Sequence, residues 1–227
     1  MKRNLSLILF AGVVVIALFT QTTTRSTARG PRQVANPRVG ANALEFIGKL
    51  DQTDASHKGY GYLTHIDGLP DEQLFSDPAL RNETTARFTF LADVVLNARH
   101  RVANLITTAA DEGRLTVYFN ETPAGNFNEP NSFGGGQLVG RYKGRFHTVC
   151  DVALEANLPS PGQAIITMSA DLVQDAANPF QLGGQLLHVG HLNLLGRLTA
   201  QAHGFYTQPP PASRAQTYFG GYVVPSR

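Results

Sequence analysis

Tryptophan is absent from the chain, cysteine occurs once and methionine twice. With Cys150 alone no internal disulfide can form, so stability has to come from packing. Charge is sparse as well: 16% of the 227 residues are charged against 42% hydrophobic, which suits one buried core and not a disordered chain. The small net charge of +2 is unevenly spread. Six of the 19 basic residues (Lys2, Arg3, Arg25, Arg29, Arg32 and Arg38) and none of the 17 acidic ones lie in residues 1–40, leaving 13 bases against 17 acids beyond them. That remainder offers nucleic acid no general electrostatic attraction, and no nucleic-acid partner is expected.

The obligatory chemical motifs are missing too. There is no G-x-S-x-G, no H-E-x-x-H, no Walker A sequence and no Cys-x-x-Cys, and no cofactor is expected. Gly134-Gly135-Gly136-Gln137-Leu138-Val139-Gly140 departs from a dinucleotide fingerprint, because its last glycine falls one place late and a strand follows it. His188 and His191 are three apart, which on a strand puts them on opposite faces, so no metal site is expected there. His65 and Asp67 share a face and read as a surface pair at a strand end.

What is present begins with an address. Lys2 and Arg3 precede an apolar run from Leu7 to Phe19, and Ser26-Thr27-Ala28 follows it, the order of a secretory signal. Thirteen apolar residues fall short of the roughly 20 that a spanning helix needs. The expectation is therefore a signal peptide over 1–28, export to an extracytoplasmic location, and no stable membrane insertion after processing. Residues 29–42, with two prolines, two glycines and no periodicity, read as a flexible leader.

From Leu44 onward, short alternating or apolar runs are broken by Gly, Pro, Asn or Asp, which reads as all-β. The runs are 43–50, 58–66, 86–95, 99–107, 114–120, 137–153, 163–174, 181–190 and 192–203. Alternation turns Leu115, Val117 and Phe119 to one face, Phe88, Phe90, Ala92 and Val94 likewise, and Tyr142, Phe146, Thr148 and Cys150 likewise. Arg141, Lys143 and Arg145 form an outward charged stripe, read as a solvated strand face. An antiparallel sheet of this length with one apolar face must double over or close, as a sandwich or a barrel. Glycines inside the runs, among them Gly59, Gly61, Gly144 and Gly190, favour an about eight-stranded closed barrel over 43–205, where a coiling sheet bends. The connections 67–85 and 121–136 could cross a barrel mouth, stay irregular or hold a short helix. Residues 206–227 read as a tail, with Pro209-Pro210-Pro211 as a stiff spacer and the aromatic segment 217–224 able to cover a strand edge.

The stretches Gly59-Tyr60-Gly61-Tyr62-Leu63-Thr64-His65-Ile66-Asp67-Gly68-Leu69, Thr85-Ala86-Arg87-Phe88-Thr89-Phe90, Ser132-Phe133 and Arg145-Phe146-His147 resemble a group of exported bacterial proteins without an assigned activity. Their pattern is similar to the allene oxide cyclase-like barrels, to which the plant dirigent proteins belong. The resemblance spans about 43–205 and implies an eight-stranded barrel around an apolar cavity, a homo-trimer, and an action that holds a reactive small molecule in one conformation. It transfers no catalytic residue.

The inward set Tyr62, Phe88, Phe90, Phe119, Tyr142, Phe146, Cys150 and His188 is the candidate ligand lining, aromatic with a few polar tips. The same side chains could equally fill a barrel of eight strands. If chemistry occurs, His188, Tyr142 and Tyr62 are the members able to pass a proton. Three functions follow: a carrier of a small apolar molecule, a cyclase or isomerase steering a reactive intermediate, and a cell-surface interaction module with a filled barrel.

Overall fold

A computed structural model describes residues 30–38, 40–103, 105–151, 163–208 and 214–226, with the side chains of 163 and 205–208 left aside. The expected signal peptide lies outside the described residues. The described chain forms twelve strands: β1 Arg32–Val34, β2 Leu44–Thr53, β3 Ser56–Ile66, β4 Phe88–Val95, β5 Ala98–Val102, β6 Leu105–Phe119, β7 Gln137–Asp151, β8 Gln163–Ala177, β9 Phe180–Leu182, β10 Gln185–Val189, β11 Leu195–Gln208 and β12 Arg214–Ser226.

Eight of them close an antiparallel barrel in the order β2-β3-β4-β6-β7-β8-β11-β12, with β12 returning to β2. Closure pairs each of these eight strands on both sides, while β5 extends the sheet with β6 as its paired strand. β4 and β5 are one arm: Phe88 faces Phe119, Val94 faces Gly113, Ala98 faces Ala109 and Val102 faces Leu105, a single unbroken register along β6. The arm is interrupted at Leu96-Asn97, where Leu96 N–H turns aside to the carbonyl of Ala55 at 2.8 Å.

The alternation read in β4, β6 and β7 holds. Phe90, Ala92, Val94, Leu115, Val117 and Phe146 all point into the barrel. The outward arginines of β7 are paired, Arg141 with Asp175 at 2.8 Å and Arg145 with Asp111 at 3.4 Å.

Two segments differ from the sequence reading. The reading of 206–227 as a tail fails at 214–226: Arg214–Ser226 is the barrel strand β12, hydrogen-bonded to β11 and β2 on its two sides. Pro209-Pro210-Pro211 made it look separate, whereas its inward residues Thr217, Phe219 and Val223 are all buried. The flexible-leader reading of 29–42 fails at 32–35. β1 pairs in parallel with β10, and Val34 and Ala35 are buried.

β1, β10 and β9 make a small sheet, here called the plug, that packs on one end of the barrel. The run 181–190 is thus a hairpin turning at Gly183-Gly184, both at positive φ, and not a barrel strand. Phe180 from this plug packs on Phe88 and Phe119, with ring centroids 5.4 and 5.0 Å away. Gln174 of β8 latches it: Nε2 donates to the carbonyl of Val189 at 2.7 Å, and Oε1 accepts from the His191 amide at 3.1 Å. Gly190 has φ +60°, and a Cβ there would stand 2.1 Å from Gln174 Oε1. Only glycine permits this turn beside the latch.

The connections 67–85 and 121–136 each hold a short 3-10 turn, Asp71–Leu74 and Pro130–Gly134. The second lies on the barrel's outer wall, where Phe133 accepts a 2.6 Å hydrogen bond from Thr89 Oγ1 and packs on Tyr60.

Candidate binding pocket at the barrel end opposite the plug

Opposite the plug, the β2–β3 turn, the β4–β5 interruption and the ends of β7, β8 and β12 surround a pocket of about 410 Å³. Its size is that of a small-ligand site. Leu50, Ile106, Ile166 and Met168 give it hydrocarbon walls. Asp54, Asn97 and Arg99 stand at the turn and the strand interruption that form its rim. Between walls and rim, Thr108 and Thr148 from paired strands share a hydrogen bond, Oγ1 to Oγ1 2.6 Å.

Leu50, His57 and Met168 belong both to this pocket and to a smaller inner void of about 60 Å³, and so partition them. Beyond that partition the barrel is nearly filled. Phe90 packs against Phe46 and Phe219, centroids 5.7 and 6.0 Å away.

His57 faces inward because it shares strand parity with Gly59 and Gly61, which look into the barrel at Ala92 and Phe90. Burial lowers its pKa to about 4, so the imidazole is neutral at neutral pH. Its Nε2 is shielded from solvent and has no hydrogen-bond partner among the described residues. Cys150 lines the pocket with its thiol pKa pushed up to about 11, first by burial and then by Asp151, with Arg99 opposing. It stays a protonated thiol. The polar groups lining the inner part of the pocket are therefore uncharged: imidazole, thiol and hydroxyls.

The eight residues of the candidate lining scatter across the molecule. Cys150 lines the pocket, and Phe90 and Phe146 line the inner void. Phe88 and Phe119 sit under the plug. Tyr142 is buried beside Leu115 and Gln174, and burial raises its pKa. Tyr62 is not inward. It stands on the outer wall against Phe75 and Phe127, because the inward positions on either side of it are Gly61 and Leu63. His188 is not in the barrel either: it lies in the plug between the buried Leu187 and Val189, with Nδ1 2.7 Å from the Gly190 carbonyl. The three expected proton carriers thus occupy three separate places.

His65 pairs with Asp71 at 2.9 Å, not with Asp67. Among the described residues no three His, Cys, Asp or Glu side chains gather as a metal site.

Sequence reading missed His57, Thr108, Ile166 and Met168. Ser56-His57-Lys58 is polar and looks like a turn. The parity of Gly59 and Gly61 was the available signal, since a glycine in a strand marks the crowded face.

The chain matches no protein-family model, no curated protein and no solved structure. The resemblance to the allene oxide cyclase-like barrels therefore stands on the quoted sequence stretches alone.

Proposed function

We propose that this protein binds a small, largely apolar molecule at the end of its barrel opposite the plug. The observation that carries this reading is the pocket of about 410 Å³, with Leu50, Ile106, Ile166 and Met168 in its walls, in a barrel whose far end carries the plug. Neutral His57 and Cys150 suit it to holding a ligand by shape and a few hydrogen bonds. The run Leu7–Phe19 behind Lys2 and Arg3 supports export, and with it an extracytoplasmic ligand.

Adjacent residues on β8 test the reading. Ile166 lines the pocket, whereas Ile165 is 55% exposed on the outer wall. A neutral, environment-sensitive aminonaphthalene dye should bind the wild type and the Ile165→Trp variant alike and lose its binding in Ile166→Trp. A dye that ignores the native protein, or binds both variants equally, overturns the reading.

A second observation favours an interaction surface. Ile47, Ile165 and Tyr218 are exposed on the outer wall of neighbouring strands around Gly220. The aromatic segment 217–224 supplies part of it, but as barrel strand β12 it cannot be deleted without opening the barrel. Tyr218→Ser tests it by leaving dye binding intact while abolishing self-association in sedimentation. Association unchanged by the substitution removes this second reading.

A further inference from the structure

We propose that the ligand of the barrel pocket is a small apolar monoanion, a ring or short chain whose carboxylate or sulfonate group seats on the guanidinium of Arg99 and the hydroxyls of Thr108 and Thr148. This inference rests on the pocket reading above and adds the chemistry of the ligand's polar end.

The strand registers build the seat. Arg99 of β5 faces Thr108 of β6, and Thr108 faces Thr148 of β7, so the three stand side by side on neighbouring strands, and all three line the pocket. Strands in a sheet lie about 4.8 Å apart, which keeps this row within the reach of a long arginine side chain and one oxyanion. Arg99 is exposed and the two threonines are half-buried, so the row is accessible to a group in the pocket. Arg141, Arg145 and Arg197 are each held by an aspartate, whereas Arg99 makes no ion pair or hydrogen bond among the described residues. The bond between Thr108 Oγ1 and Thr148 Oγ1 uses the hydrogen of only one hydroxyl, and the other hydroxyl keeps its own for a further acceptor. A guanidinium fork and a hydroxyl donor thus share one row, and an acceptor is what they lack.

The rest of the ligand follows from the walls. One unpaired cation calls for one negative charge, and the guanidinium fork matches the paired oxygens of an oxyanion. Leu50, Ile106, Ile166 and Met168 ask for hydrocarbon in the remainder. The partition of Leu50, His57 and Met168 stops that body short of the filled interior, so a ring or short chain fits where a long chain has nowhere to run. Asp54, on the β2–β3 turn, is the other charged group of the lining and opposes any second negative charge. The row decides between the two rim charges: Arg99 has two hydroxyls in register with it, and Asp54, lying between strands, has none. The charge of Arg99 is also felt inside the pocket, where it opposes the rise of the Cys150 thiol.

Three naphthalenes of similar shape decide the matter: anionic 2-naphthoate, neutral 2-acetylnaphthalene and cationic 2-naphthylmethylammonium, titrated calorimetrically into the wild type, Arg99→Gln and Arg101→Gln. Arg101 is the control, since it carries the same charge two places along β5 but does not line the pocket, and its Nε donates to the Ala103 carbonyl at 2.9 Å. The wild type should bind the naphthoate about fivefold more tightly than the acetyl compound, the gain of one partly exposed ion pair. Arg99→Gln should bind the two equally, and Arg101→Gln should keep the preference. In the wild type, the 15N resonance of Arg99 Nε should move with the naphthoate and stay put with the acetyl compound, a readout independent of whether a variant folds. Equal binding of the two in the wild type, a preference that survives in Arg99→Gln or is lost as fully in Arg101→Gln, or preferred binding of the ammonium compound overturns the anion inference and leaves the pocket standing. Binding of none of the three overturns the pocket reading together with it.

Discussion

Gly61 lies directly beneath the ring of Phe90: a Cβ built on it would stand 2.9 Å from Phe90 Cζ and 2.2 Å from the carbonyl oxygen of Ile47. Phe90 in turn contacts Phe46 and Phe219, so this glycine sets the spacing of the aromatic cluster that fills the barrel. Gly61→Ala should cost about 2–4 kcal/mol, as overpacking against backbone does. Urea denaturation measures it. Adding Phe90→Leu should recover only part of the loss, because the Ile47 carbonyl remains in the way.

Stability should fall in mild acid because of His57. Its pKa is about 4 in the folded protein against 6.5 for an ordinary histidine, so between these values the unfolded chain holds a proton that the native one refuses. Stability therefore rises with pH across this window and is fully present above about 6.5. The contribution at stake is about 3 kcal/mol. Denaturation midpoints of wild type and His57→Phe from pH 4 to 7 should show a slope in the first that is reduced in the second; parallel slopes would remove His57 as the cause.

Gln174→Leu should loosen the plug. It strips partners from the Val189 carbonyl and the His191 amide while keeping volume, at a cost of about 2–4 kcal/mol. Hydrogen exchange should accelerate at Leu187–Val189 and at β1 while the amides of β6 and β7 remain protected. Uniform acceleration would mean that plug and barrel unfold as one unit.

Cys150 should resist modification. With its thiol raised to about 11 and its side chain mostly buried, labelling by a maleimide at pH 8 should be slow, quicken in denaturant, and slow further when the pocket is occupied. Rapid labelling at pH 8 would contradict the buried, protonated thiol.

Strands with strict alternation were legible from the residues alone. Phe88, Phe90, Ala92 and Val94 in β4 and Leu115, Val117 and Phe119 in β6 carry bulk on one face, and bulk faced the core. β3 inverted that logic. Its inward face offers Gly59 and Gly61, because Ala92 and Phe90 already occupy the interior there, and its tyrosines pack outside beneath Phe127 and Phe133. No single strand's sequence reveals which partner brings the bulk. Likewise β1 is three residues long and owes its order to β10, some 155 positions away, a pairing that local pattern cannot contain. The pocket was half visible for a related reason: Cys150 came with an alternating strand, whereas His57 came with a turn.

The seam at which β2 meets β12 joins Leu44 to Val223. Until residues near 223 have been synthesised, β2 and β11 each present an unpaired edge, and no closed interior exists for either the aromatic cluster or a ligand. The plug imposes a second long wait, since β1 needs β10. Folding is thus governed by contacts between the far ends of the chain, which predicts slow, millisecond-to-second closure with the meander β6-β7-β8 able to assemble first. During that interval the nascent sheet is open to pairing with other chains, and it is in this period, more than in the finished barrel, that the protein is exposed to aggregation.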